Sequence, residues 1–427
     1  MRFRPLAATA LVCVAAIAIP TAARADRRSD AEAKAAALKA PVTLKFWQTH
    51  NAEETLTLKS LLAEFEKTHP NVKVAVDTVA FAEAQNKFKT ASKAGDAPDL
   101  FRCEVAWTAE LASLGYLTPL DDYLSDADRK TYLETPLRAS TYKEETWALP
   151  QVTDCLALLY NKATLKAAGV DPPRTMAELV TASRKLTDPA AKRVGFNFPS
   201  SDSYFLLPYI WSFGGGLIDE AKREVLIDGP GAVKGLEFVV GLKTKEKVVP
   251  ADFDVANDYT NQMEAFKSGK QAMMFMGPWA TATILSGDAF KDPANLGVAD
   301  LPAGPGGTGS PIGGHGYTIS ASSKEPDLAF LVIDFLNRPE NQAKFTVKNN
   351  LLPTRKAAYD LREVKGNAIV AGFRHQLETA RTRPVLPEGA TIFPPLTQGF
   401  QDALRGVKTP EAALKAVAAE WRKTLKP

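Results

Sequence analysis

The chain has 427 residues, 45% hydrophobic and 24% charged, the balance of an ordinary globular protein. That length exceeds one small core and points to two lobes. The formal charge is +3, but Arg2, Arg4 and Arg24 precede residue 26 with no acid among them. The remainder is therefore neutral, with neither a basic patch for nucleic acid nor an acidic tail.

Residues 1–25 read as a secretory signal: Arg2 and Arg4, the apolar "LAATALVCVAAIAI", then an A-x-A site at Ala23–Ala25. The apolar run is short for a membrane span. Cys13 follows Leu11 and Val12, where a lipidation signal has small residues, and lies upstream of the better cleavage site. The expected mature protein is exported, periplasmic or secreted, and unlipidated. It keeps Cys103 and Cys155, and an oxidising compartment permits a disulfide without dictating one.

Residues 26–41, polar and Ala-rich, read as a flexible leader. "VTLKFWQTH" (42–50) alternates as a strand does. "NAEETLTLKSLLAEFEKTHP" (51–70) places Leu56, Leu58, Leu61, Leu62 and Phe65 at near-helical spacing and ends before Pro70. "VKVAVDTVA" (72–80) is a second strand, and "FAEAQNKFKTASKAG" (81–95) a helix closed by Gly95. "APDLFRCEVA" (97–106) is a third strand, leading into a helix that ends near Gly115. The alternation predicts an α/β layer with a mostly parallel sheet.

In such sheets ligands sit at the carboxyl ends of strands. Three loops there carry an acid: Glu53 or Glu54 in "QTHNAEE", Glu104 in "CEVAW" and Asp154 in "TDCLA". Asp154 is the most telling, because it interrupts an apolar run where an unpaired charge costs several kcal/mol.

The middle of the chain is aromatic. "SDSYFLLPYIWSFGGGLID" (201–219) holds Tyr204, Phe205, Tyr209, Trp211 and Phe213, more rings than one helix face needs, with Phe205 and Phe213 assigned to the core. "EAFKSGKQAMMFMGPWATATIL" (264–285) reads as helix, Gly269 stop, strand and Gly-Pro-Trp, which sets Trp279 at a strand-to-helix corner. The glycine-rich segments 214–216 and 302–317 match no phosphate loop or dinucleotide fingerprint. His50, His69, His315 and His375 lack metal-ligand spacing, and neither a nucleophile elbow nor a zinc or calcium motif occurs. No cofactor or metal is expected. Glu104 with Asp154 remains open as a glycosidase's carboxylate pair.

The ordered segments "PDLFRCEVAW", "LPQVTDCLALLYNK", "SDSYFLLPYIWSFGG", "FKSGKQAMMFMGPWA", "GSPIGGHGYTIS" and "NNLLPTRKA" resemble the extracytoplasmic solute-binding proteins of sugar ABC transporters, in the maltose/maltodextrin and trehalose/maltose branch. The resemblance runs from about Val42 to Leu425. It implies the α/β periplasmic-binding-protein fold (type II), with a ligand cleft between two lobes joined by hinge strands. One lobe comprises 42–151 and 316–352, the other 154–313 and 355–427. It further implies a monomer that captures an oligosaccharide and delivers it to membrane permease subunits, without catalysis or nucleic-acid binding.

Residue by residue, the resemblance makes Asp154 a hinge-side acceptor of sugar hydroxyls, Glu104 a second, and Glu53 or Glu54 a third. Tyr204 and Trp279 match stacking positions, Arg383 a ligand-contacting arginine, and Gly313 and Gly314 a backbone contact loop. His315 stands where many relatives carry Trp. Cys103 and Cys155 adjoin two of the proposed acids, and could bridge with Cα atoms within ~7 Å, buried free thiols being the alternative. The implied ligand is an α-glucoside: maltose, a maltodextrin or trehalose. The alternatives are another oligosaccharide or glycerol phosphate on the same fold, or a secreted glycoside hydrolase.

Overall fold

The computed structural model describes residues 27–249 and 258–425; the secretory signal read in residues 1–25 lies outside them. Ten strands build its two main sheets. They are β1 (Val42–Gln48), β2 (Val72–Thr78), β3 (Leu100–Glu104), β4 (Leu149–Cys155), β5 (Ala157–Asn161), β6 (Val194–Asn197), β7 (Gln271–Met276), β8 (Leu296–Ala299), β9 (Ile312–Ile319) and β10 (Leu352–Pro353). The first sheet has the order β10-β4-β9-β3-β1-β2 and the second β8-β5-β7-β6.

The early elements follow their sequence signals. Asn51 caps the helix Ala52–Thr68 by accepting from the Glu54 amide, and Leu58, Leu61, Leu62 and Phe65 form its buried face. Leu56 is instead 63% exposed. Gly95 ends the helix Phe81–Ala94 in the left-handed region, at φ 74°.

Two expectations are corrected. In the first sheet only the β1–β2 and β1–β3 pairings are parallel; β9 is antiparallel to both β3 and β4, and β10 is antiparallel to β4. These strands run back from or out to the second lobe, so they enter the sheet in the opposite sense to a helical crossover. The sheet is mixed. The segment read as a flexible leader is an 11-residue helix, Arg27–Ala37, with Ala31 and Ala35 buried. Arg27 pairs with Asp327 at 2.9 Å, Lys34 with Glu325 at 2.7 Å, and Arg28 with Asp334. Ala31 and Ala35 are the side that packs, and their small size lets the helix lie close on the helix Pro326–Leu336.

Each lobe has its own core. Phe46, Leu61, Phe65, Tyr317 and Phe330 fill one face of the first sheet, and Phe88, Phe101 and Trp107 the other. Leu158, Phe196, Tyr209, Phe275 and Trp421 fill the second lobe. All seven residues of β4 are buried, and the chain passes directly from its end in the first sheet to β5 in the second. Gln342 ties the crossings together: its Nε2 donates to the Pro150 carbonyl at 3.1 Å and its Oε1 accepts from the Thr354 amide at 2.8 Å.

Candidate functional site

The site grows from the end of β4. Asp154 and Gly313 are Cα partners across the hinge strands, and a side chain on Gly313 would collide with Asp154 Oδ1. Tyr204, on the short turn Ser203–Phe205, donates its hydroxyl to Asp154 Oδ1 at 3.0 Å or to the Pro311 carbonyl at 3.1 Å. One phenol has one proton, so these acceptors alternate. Burial pushes the Asp154 carboxyl up to about 7, against the downward pull of Tyr204, Arg383 and Arg102; nearby Glu104 adds to the rise.

Glu104 ends β3. Its Oε2 accepts from the Ala106 amide at 2.9 Å, and Oε1 pairs with Arg383. Arg383 also donates from Nε to the Ile312 carbonyl at 3.2 Å, and its guanidinium lies 5.2 Å from the Tyr204 ring centre and 5.6 Å from that of Phe393. Glu104 thus joins the first sheet to a segment beside the second lobe. Trp279 presents its ring edge-on to Tyr204, with centroids 6.1 Å apart, and donates from Nε1 to Tyr259 Oη at 3.1 Å. It packs against the cores of both lobes.

The structure therefore brings Glu104, Asp154, Tyr204, Trp279, Gly313 and Arg383 together. Gly314, at φ 127°, lies so close to the Val152 carbonyl that a Cβ there would clash. The acids after β1 divide differently. Glu54 is buried and committed to His50 Nδ1 at 2.8 Å and Asn51 Nδ2 at 3.0 Å, while Glu53 is exposed. Burial lowers His50 to about 4, so the neutral ring donates to Glu54.

The cysteine bridge is overturned: Cys103 and Cys155 are both free and buried. Strand β9 lies between their strands, with Cys103 opposite Gly316 and Cys155 opposite Ile312. Two strand spacings already exceed ~9 Å, beyond a disulfide's reach.

Sequence reasoning missed the aromatic wall opposite. Phe81, 49% exposed, stacks on Trp107 at 5.1 Å and meets the edge of His315 at 5.9 Å. Its position, the first helical residue after β2, was the available signal. Arg102 was missed too: it is buried, and bonds Gln151 Oε1 at 3.2 Å and Thr49 Oγ1 at 2.9 Å. A charge in the middle of a wholly buried strand is the sign that was overlooked.

Two α/β lobes joined by crossing strands, with acids and aromatic rings meeting beside the crossings, define a binding protein of the type II periplasmic fold. The family model for bacterial extracellular solute-binding proteins matches residues 51–343, and the chain belongs to that family. It is a binding protein, not an enzyme, which removes the glycosidase reading of Glu104 and Asp154. The family's place is outside the cytoplasm, in partnership with the membrane permease of an ABC importer.

Among solved structures, the GacH receptor of Streptomyces glaucescens GLA.O, determined unliganded and with acarbose and an acarbose homolog, matches with a TM-score of 0.86 and 38% identity over 91% of this chain and 99% of that one. Maltose-bound MalE3 of T. maritima matches with a TM-score of 0.80 and 27% identity, over 90% of this chain and all of the other (100%). The maltotriose-binding protein of Pyrococcus abyssi (strain GE5 / Orsay) is 25% identical over 385 residues, 89% of this chain and 81% of the relative.

Proposed function

We propose that the protein captures an α-glucoside (maltose, a maltodextrin or trehalose) by hinge closure, as a monomer, and delivers it to an ABC importer. The observation that carries this reading is the Asp154 carboxyl held by Tyr204 at the hinge, with the Trp279 ring packed against that of Tyr204. Pyranoses need both features: vicinal hydroxyls donate to an acceptor-only carboxylate, and the apolar C–H faces lie on aromatic rings. The lobes that close are 42–151 with 316–352, and 154–313 with 355–427. Phe81 and Trp107 add a second ring surface, which favours a ligand longer than one sugar.

The residues adjust the roles expected of them. Asp154 Oδ1 is held by Tyr204, and no hydrogen bond engages Oδ2 among the described residues, so Asp154 is the principal acceptor. Glu104 acts chiefly by orienting Arg383. The relatives known with maltose, maltotriose and acarbose support an α-glucoside over glycerol phosphate. Arg383, the cation beside Asp154, is already paired with Glu104, which leaves little for a phosphate.

A thermal-shift screen of the mature chain against maltose, maltotriose, trehalose, cellobiose, sucrose and glycerol phosphate tests the reading. A ligand at ~100 times its dissociation constant adds ~2.7 kcal/mol to folding. Stabilisation by the α-glucosides alone is expected; stabilisation by glycerol phosphate or cellobiose alone contradicts it.

A further inference from the structure

A buried amide lies unpaired beside the hinge. Gln151 is 1% exposed, and its Nε2 has no hydrogen-bond partner among the described residues. Its Oε1 accepts from Arg102 Nε at 3.2 Å. A guanidinium can only donate, so this bond fixes which end of the amide is oxygen and leaves the NH2 group as the free end. Orphaned buried donors are rare, because each loses its bond to water and gains none in return.

The His315 ring is in the same condition, with Nε2 buried and unpartnered. The two residues are neighbours in the sheet. His315 pairs with Val152 and Gly316 with Pro150, so Gln151 is the extra residue of a bulge beside His315. Burial, with the nearby charges of Arg102 and Arg383, keeps the His315 imidazole neutral, with one donor and one acceptor nitrogen. Phe81 against the ring's edge marks this as the wall of the cleft.

We propose that Gln151 and His315 together read one hydroxyl group of the bound sugar: Gln151 Nε2 donates to the hydroxyl oxygen, and the hydroxyl proton goes to His315 Nε2. This rests on the reading of the cleft as an α-glucoside site, and it adds a specificity position separate from the Asp154–Tyr204 pair. An ether oxygen could accept but not donate, and a deoxy carbon does neither. The position therefore admits a free hydroxyl and rejects methylated or deoxygenated analogues, because a site built around a hydroxyl leaves its own polar groups unpaired when that hydroxyl is missing.

The test is calorimetric titration of the full mature chain with maltose and with the series of monodeoxy maltoses. The parent protein is expected to bind one deoxy analogue about 10-fold or more weakly than maltose. Gln151→Met and His315→Phe are each expected to bind maltose about 10-fold more weakly and to lose discrimination against that same analogue. Gln151→Met strands Arg102 Nε, so its fold is checked by melting. His315→Phe deprives no partner of a hydrogen bond and carries the test if the first variant unfolds. If the parent binds maltose and both variants match it, the proposal is overturned while the receptor reading stands, the amide then serving a resident water. If the parent binds none of the α-glucosides, the α-glucoside reading and the proposal fall together, while membership of the solute-binding family stands.

Discussion

Gly313 and Asp154 face each other across the hinge strands, and a methyl group on Gly313 would strike Asp154 Oδ1 and come within 2.9 Å of Tyr204 Oη. The site thus depends on a residue with no side chain. Gly313→Ala is expected to push the carboxylate off Tyr204 and weaken sugar binding about 10-fold or more. Calorimetry measures this directly; an unchanged affinity places the ligand elsewhere.

Binding should depend on pH through Asp154. Its carboxyl sits at about 7 in the folded protein, against an ordinary 3.8, because it is buried among Tyr204, Arg383, Glu104 and Arg102. Between these values the folded state holds a proton that the unfolded chain has released. This contribution to stability is complete below about pH 4 and is lost as pH rises through about 7. Sugar hydroxyls donate to the ionised form, so binding should tighten as pH rises from about 6 to about 8 and release a proton near pH 7. Titrations in two buffers of different ionisation heat read that proton. Asp154→Asn should bind weakly with a flat profile, and a flat profile in the parent contradicts the assignment.

Glu104 and Arg383 form a buried pair, with side chains 9% and 12% exposed. Arg383→Leu strands the Glu104 carboxylate, and a loss of about 3–5 kcal/mol is expected in denaturant unfolding. Glu104→Gln combined with Arg383→Leu should restore most of it. A loss under about 1 kcal/mol for the single change would mean that the pair behaves as if exposed.

The thiols offer a chemical check. Cys103 lies 3.3 Å from the Glu104 carbonyl and Cys155 lies 3.6 Å from that of Phe373, and burial raises both above the ordinary thiol range. Neither should react with a thiol reagent in the folded protein, and both should react in denaturant without reductant. No reaction in denaturant would indicate a bridge.

The first three strands and their helices were legible because each has its own periodicity, cap or glycine stop, as at Asn51 and Gly95. Asp154 was conspicuous because a carboxylate in an apolar strand demands a partner, which Tyr204 supplies. What local pattern cannot carry is strand order. The insertion of β9 between β3 and β4 separates the cysteines and makes the sheet mixed. The burial of the N-terminal helix was hidden too, since its ion-pair partners Asp327 and Asp334 lie some 300 residues downstream. Phe81 and Gln151 look unremarkable in sequence; the first draws notice by exposure and the second by an unpaired amide.

The most direct test of the central claim is isothermal titration of the ligand-stripped mature protein with maltotriose, beside its Asp154→Ala variant. The expected result is saturable 1:1 binding, weakened about 10-fold or more in the variant. Equal binding by both proteins, or binding of cellotriose in place of maltotriose, would contradict a hinge carboxylate that captures an α-glucoside.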